Sequence, residues 1–324
     1  AVLERITAGL APDASGTRPP VPRTVAISGM PGVGKSALAV RLAHRLRPRF
    51  EDGYLYVDLK DAAGNRATAG HVLQHLLCTL GVAPDDLPAT LQERSRMFRS
   101  LCSGARLLVV LDGASSTADV RPLLPESPTC ATIITSQRRL RGLVGVWNVE
   151  IGPLNRAEST ALLRSIVGAS RLDRAPRTVE RLVEASGGFP PALRSIGDRL
   201  AAAPGPRVDE VAERLLGDGP DLLHVGGSDL KARFDACYAS LNRADQSAFR
   251  LLSMLSPEGF RLAAAADLLG VDVQDAEHTL ERLADHHLVT VSQGEDGQVR
   301  YALPQPLLDY ARKPLGEGGF TRSD

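Results

Sequence analysis

The sequence predicts an α/β protein: a mostly parallel sheet over roughly the first 150 residues, then a helical region, then three helices and a hairpin. Three observations carry that reading. Short apolar runs rich in β-branched residues alternate with segments of helical period up to about residue 150, the pattern of βα units. After residues 149–154 (VEIGPL) the apolar runs become helical in period. From residue 228 onward, three helix-period segments precede two strand-like runs set around 294–297. At ~100–200 residues per domain, a chain of 324 residues suits two or three domains. The shifts in pattern place them at 1–153, 154–227 and 228–324. Hydrophobic residues make up 43% and charged residues 23%, enough apolar material for a core, which argues against a disordered chain.

Taken in order, residues 1–10 read as the end of a helix and 11–22 (APDASGTRPPVP) as a Pro/Gly/Ser-rich loop. Residues 23–28 (RTVAIS) are a buried-strand run that breaks at 29–34 (GMPGVG). From Lys35 onward, Ala37, Leu38, Val40, Leu42, Ala43 and Leu46 recur with helical spacing until Pro48. A second strand is expected at 54–59 (YLYVDL), then helices at 70–80 and 91–101. The strongest strand signal is 106–111 (RLLVVL), and 131–135 (ATIIT) is another. Helices are expected at 158–166, 178–184 and 191–200, with Pro/Gly-rich breaks at 202–206 and 217–227. The last segment reads as helices at 244–255, 262–269 and 275–284, then strands at 288–292 and 298–303. Three helices followed by a hairpin is the pattern of a winged-helix module.

Gly29, Met30, Pro31, Gly32, Val33, Gly34, Lys35 and Ser36 match G-x-x-x-x-G-K-[ST] in full, between a strand and a helix as the motif demands. Its glycines let the loop turn backbone N–H groups inward. The helix that begins beside Ser36 and Ala37 adds partial positive charge where a phosphate would sit. Lys35 would reach the β- and γ-phosphates, and the Ser36 hydroxyl would ligate Mg²⁺. The chain has only four lysines (Lys35, Lys60, Lys231 and Lys313), so a chance match is improbable. This makes the sheet that of a P-loop NTPase. The motif's partner is an acidic residue ending a hydrophobic strand, and 107–112 (LLVVLD) supplies Asp112 to hold Mg²⁺ through water, unless Asp112 instead caps the next helix. Position 113 is Gly, so no second carboxylate follows to activate water, which argues for slow hydrolysis or none. Thr135-Ser-Gln-Arg138 ends the next strand, where a polar residue can sense the γ-phosphate, with Arg138 and Arg139 as candidate charges.

Other function classes find little support. Thirty-eight basic side chains balance thirty-eight acidic ones, so there is no whole-chain nucleic-acid footprint. Residues 228–312 carry eight Lys/Arg against thirteen Asp/Glu. Their third helix sets Asp275, Glu277, Glu281 and Asp285 against Arg282 alone, so no direct DNA binding is expected of this module. No apolar run approaches the ~18 residues of a membrane span, and the charged N-terminus (AVLERITAGLAP) is no signal peptide. Cys78, Cys102, Cys130 and Cys237 lack C-x-x-C spacing and read as reduced thiols of a cytoplasmic protein. His71 and His75 lie one helical turn apart without a third ligand, so zinc is not expected. His286 and His287 read as cations at a helix end.

With these pieces in order, the chain resembles the STAND class of P-loop ATPases, of NB-ARC type. It is most similar to the ATPase core of the large SARP-type antibiotic regulators of actinomycetes. The likeness is carried by residues 25–46, 54–59, 108–114 (LVVLDGA), 121–125 (RPLLP), 134–143 (ITSQRRLRGL), 152–158 (GPLNRAE), 187–201 (GGFPPALRSIGDRLA) and 300–312 (RYALPQPLLDYAR). The resemblance implies a nucleotide domain, a small helical domain and a winged helix that close on ADP and open with ATP, controlling flanking domains. It also implies that Pro190, in the G-x-P turn Gly188-Phe-Pro190, packs on adenine. Four points depart from the family. The Walker B tail is shortened to Asp112-Gly113, and the sensor arginine is displaced to Arg138. The winged-helix His-Asp falls at Pro304-Gln305, and the upstream Val-Gly-Arg-like segment is not in this sequence. The chain looks like an excised core whose DNA-binding and helical-repeat neighbours lie outside it. Three functional readings stand: an ATP/ADP switch that hydrolyses slowly, an ATPase whose turnover itself matters, and a degenerate autoinhibitory or oligomerising scaffold.

Overall fold

Strands whose alternate residues are apolar on both faces need helices on both sides, and the first unit is built that way. The computed structural model describes residues 2–10, 23–60, 66–203, 208–217, 230–294 and 297–312. The chain divides into two units, Ala1–Gly29 with Gly34–Ile151 and Met30–Val33 with Gly152–Asp324.

The first unit runs α1 (Val2–Leu10), β1 (Arg23–Ser28), α2 (Lys35–Leu46), β2 (Tyr54–Asp58), α3 (Ala69–Thr79), α4 (Leu91–Cys102), β3 (Leu108–Ala114), α5 (Thr117–Val120), β4 (Ala131–Ser136) and β5 (Val146–Glu150). The five strands form one parallel sheet in the order β2-β3-β4-β1-β5. The strand before the glycine loop and the strand that carries Asp112 are therefore separated by β4. One face is covered by α1 and α2, where Ile6, Leu10, Leu42 and Leu46 pack on Val25, Ile27, Leu108, Val110 and Ile133. On the other, Leu73, Leu76, Leu77 and Phe98 of α3 and α4 pack on Leu55, Val57, Val109, Leu111 and Ile134. Local signals start the helices. Thr68 accepts the His71 N–H ahead of α3, and Thr90 with Glu93 forms a reciprocal capping box ahead of α4.

The second unit contains α6 (Arg156–Val167), α7 (Ala169–Leu172), α8 (Pro176–Ala185), α9 (Pro190–Ala202), α10 (Val208–Gly217), α11 (Leu230–Ala239), α12 (Arg243–Leu252), α13 (Leu262–Leu269), α14 (Val273–Asp285), β6 (Thr290–Gln293), β7 (Val299–Ala302) and α15 (Gln305–Arg312). Leu163, Val179, Leu182, Leu193, Ile196 and Leu200 centre one helical core. The β6–β7 pair is antiparallel, and Phe260 joins β7 by exchanging two backbone hydrogen bonds with Tyr301.

Several elements were not expected from sequence. In β5 only Val149 is buried, so that edge strand has no apolar run to announce it. α10 and α11 flank the expected breaks, and α15 follows Pro304, whose carbonyl accepts the Leu307 and Leu308 N–H groups. The expected loop at 11–22 lies outside the described residues, as do 204–206 and 218–227 of the expected breaks.

Candidate functional site

Strand alternation decides which side chains reach the carboxyl edge of the sheet on the α2 face. On β3, Leu108 and Val110 point into the α2 core, so Asp112 continues on that side. On β4, Ile133 does the same and Thr135 follows it. On β2, Leu55 and Val57 point the other way, which turns Tyr54, Tyr56 and Asp58 toward the α2 face. Parallel register then sets Asp58 beside Asp112.

Asp112 is buried and accepts three hydroxyl groups. Ser36 Oγ donates to Oδ1 at 2.9 Å, Tyr56 Oη donates to Oδ2 at 2.7 Å, and Thr135 Oγ1 donates to Oδ1. Thr135 Oγ1 in turn accepts the Gly113 N–H at 2.9 Å. Burial, and then the bond to Asp112, push the Tyr56 hydroxyl above its ordinary pKa. Asp112 does not cap the next helix, because Ser116 takes that role for α5, accepting the Asp119 N–H at 3.2 Å.

Lys35 is 9% exposed, and its ammonium donates to the Gly29 carbonyl at 2.7 Å, arching the side chain back over the glycine loop. Gly29, Gly32 and Gly34 all have positive φ. Gly34 precedes α2 at φ +98 without a side-chain cap, and Ser36 and Ala37 are exposed in the first turn. The first N–H groups of α2 are thus placed for an anion. Arg138 is half-buried, and its N–H donates to Ser136 Oγ at 3.0 Å. Arg139 pairs with Glu150 at 2.6 Å. Among the described residues no group of three or more His, Cys, Asp or Glu side chains is placed to hold a metal. The Ser36 hydroxyl and Asp112 carboxylate are an all-oxygen set of the sparse kind Mg²⁺ takes when phosphate and water complete it, and they fit that ion.

In the second unit, Met30, Pro31 and Val33 are buried, and Val33 N–H bonds Met30 O at 3.4 Å. A Cβ on Gly32 would overlap Leu230 and touch Phe189 at 3.6 Å. Phe189 meets the edge of Phe234 with centroids 6.0 Å apart. Pro190 opens α9, where its missing N–H costs nothing. The preceding glycines have distinct causes. A Cβ on Gly187 would stand 2.7 Å from Pro306 Cγ, and one on Gly188, at φ +72, would overlap the Leu154 carbonyl oxygen.

The structure thus brings Gly29, Gly34, Lys35, Ser36, Ala37, Asp112 and Arg138 into the first unit, with Lys35 folded onto Gly29 and Ser36 bonded to Asp112. Met30, Pro31, Gly32, Val33 and Pro190 belong to the second. Sequence reasoning missed Tyr56. The signal was the alternation in YLYVDL, which places Tyr56 on the same face as Asp58, the register partner of Asp112.

Residues 13–172 match the family model of the NB-ARC domain. The chain is 39% identical over 278 residues to Regulatory protein AfsR of Streptomyces griseus, covering 85% of this chain and 28% of that protein. It is also 39% identical over 266 residues to Regulatory protein AfsR of Streptomyces coelicolor, covering 82% of this chain and 27% of that protein. It therefore spans little more than a quarter of these relatives' length. A Walker-type ATPase of Pyrococcus abyssi shares the fold at 16% identity with a TM-score of 0.56, over 96% of this chain and 95% of that one. Family match, glycine loop and strand order agree: the chain contains an NB-ARC domain, a P-loop NTPase core resembling that of the AfsR regulators.

Proposed function

We propose that the chain is a nucleotide-dependent switch that binds ATP or ADP with Mg²⁺, hydrolyses ATP slowly, and controls the flanking domains of a cytoplasmic transcriptional regulator. The observation that carries this is the 2.9 Å hydrogen bond from Ser36 to Asp112 beside the Lys35 loop. Mg²⁺, when bound, supplies neutralising charge to the phosphates. The backbone N–H groups of the loop and of α2 hold phosphate oxygens, and Lys35 leaves the Gly29 carbonyl to pair with them. Ser36 and Asp112 orient the metal, while Tyr56 and Thr135 hold the carboxylate in place. Arg138 reads the γ-phosphate and Pro190 packs on adenine.

The same reading divides the chain into a nucleotide domain at 1–153, a helical domain at 154–227 and a winged helix at 228–324. A packing rather than DNA-reading role for the last is supported by Arg282, the lone cation of α14, which is engaged by Asp245 at 2.7 Å. A homo-oligomeric active state is compatible with such a switch.

The test is to denature freshly purified chain and resolve the released nucleotide by anion exchange, then repeat after incubation with ATP and Mg²⁺. Stoichiometric ADP or ATP is the expected result. A chain that stays empty in both samples overturns the switch and leaves a scaffold.

A further inference from the structure

The sequence lacks a carboxylate after Asp112, and the fold fills that gap from the neighbouring strand. Gly113 has φ +82, and a Cβ built on it would stand 3.6 Å from Asp58 Oδ1 and 3.7 Å from the Lys60 side chain. The β3–β4 register shifts between Leu111 and Ala114, so the chain bulges at this point. Asp58 ends β2 in register with Asp112 and shares its face of the sheet. Its carboxylate is exposed, and its Oδ1 accepts the Lys60 N–H at 2.9 Å, which sets its direction. A side chain at position 113 would thus start in van der Waals contact with a carboxylate that already lies beside it.

We propose that Asp58 is the catalytic carboxylate of this site, accepting the proton of the water that attacks the γ-phosphorus. This rests on the ATP-binding reading above. In the step, the water oxygen bonds to phosphorus as its proton passes to Asp58. The bond from phosphorus to the β,γ-bridging oxygen breaks with its electron pair leaving on ADP, and Asp58 returns the proton to the phosphate released. Lys60 positions the carboxylate through its N–H and packs its alkyl chain over Gly113. A glycine at 113 then serves the left-handed backbone that lies beside Asp58 and Lys60, rather than marking the loss of the activating group.

The test is Asp58→Asn in the full 324-residue chain. Asparagine keeps an oxygen to accept the Lys60 N–H, so a merely structural role would not respond. Affinity for a fluorescent ATP analogue with Mg²⁺ and the thermal shift with ATP are measured first. The bound nucleotide is then followed by acid quench and anion exchange. The expected result is unchanged affinity and thermal shift, with conversion of ATP to ADP slowed at least ~100-fold, so that the variant retains ATP where the wild type holds ADP. Conversion at the wild-type rate overturns the proposal. So does a tenfold or greater loss of ATP affinity, which would make Asp58 a binding or metal group. A wild type that binds ATP but never converts it overturns Asp58's role and the hydrolysis step while leaving nucleotide binding intact. A wild type that binds no nucleotide overturns both readings.

Discussion

Tyr56 donates its hydroxyl to Asp112 Oδ2 at 2.7 Å across the β2–β3 pairing, on the oxygen that Ser36 and Thr135 leave to it. Three hydroxyls on one buried carboxylate fix the direction of its oxygens. A metal held here would meet a preset ligand and not a mobile one.

Tyr56→Phe should lower stability by ~1 kcal/mol at neutral pH, the usual worth of one hydrogen bond, read from urea unfolding. It should also change the alkaline limb. Burial first, then Asp112, raise the Tyr56 pKa above its ordinary 10.0, so the folded chain holds this proton more tightly than the unfolded chain. The contribution is complete below that ordinary value and is lost as pH rises through the folded one. Tyr310, raised by burial and by its 2.7 Å bond to Asp235 Oδ1, has the same sign. The urea midpoint should fall above about pH 10, and each Tyr→Phe variant should flatten part of that fall.

Lys35→Ala removes the ammonium but leaves the glycines and the helix start. ATP affinity should drop by ~100-fold, the scale of one charge-assisted phosphate contact, while the melting transition stays cooperative. Titration calorimetry with ATP and Mg²⁺ reads the first, and circular dichroism the second. Undiminished affinity would remove Lys35 from the site.

Gly188→Ala and Gly113→Ala separate strain from collision. Both glycines have left-handed φ, which costs ~1–2 kcal/mol with any Cβ. At Gly113 the nearest atoms stand 3.6 Å off, so that should be nearly the whole loss. At Gly188 the methyl would overlap the Leu154 carbonyl, so the loss should exceed ~3 kcal/mol. Chemical denaturation of the two variants side by side checks the order.

Arg282→Ala should cost ~2–3 kcal/mol. Asp245 is 3% exposed and takes Nε and Nη2 of Arg282 at 3.0 and 2.7 Å, with Asn242 Nδ2 at 2.8 Å. Without the guanidinium, a buried carboxylate keeps only the asparagine among the described residues, though the half-exposed arginine moderates the loss. Adding Asp245→Asn to Arg282→Ala should recover part of it, since an amide is cheaper to leave buried.

Features encoded over short spans were legible in the sequence. The glycine loop with Lys35 and Ser36 lies within eight consecutive residues, and β1 and β4 are continuous apolar runs because both faces of the sheet are covered. Edge strand β5, with one buried residue, had no such signal. Asp112 was legible as the end of an apolar strand, but its three hydroxyl partners come from 23, 56 and 76 residues away.

The sequence by itself determined the phosphate loop, the alternation of strands and helices, and the missing carboxylate at Gly113, since each depends on neighbours in the chain. Only the tertiary structure decided what surrounds Asp112 and which carboxylate lies beside Gly113. Parallel register of β2 on β3 sets Tyr56 and Asp58 on the face that carries Asp112, and a one-residue slip would turn both away. That register comes from burial of Leu55 and Val57 on the opposite side, a packing requirement spread over the whole sheet.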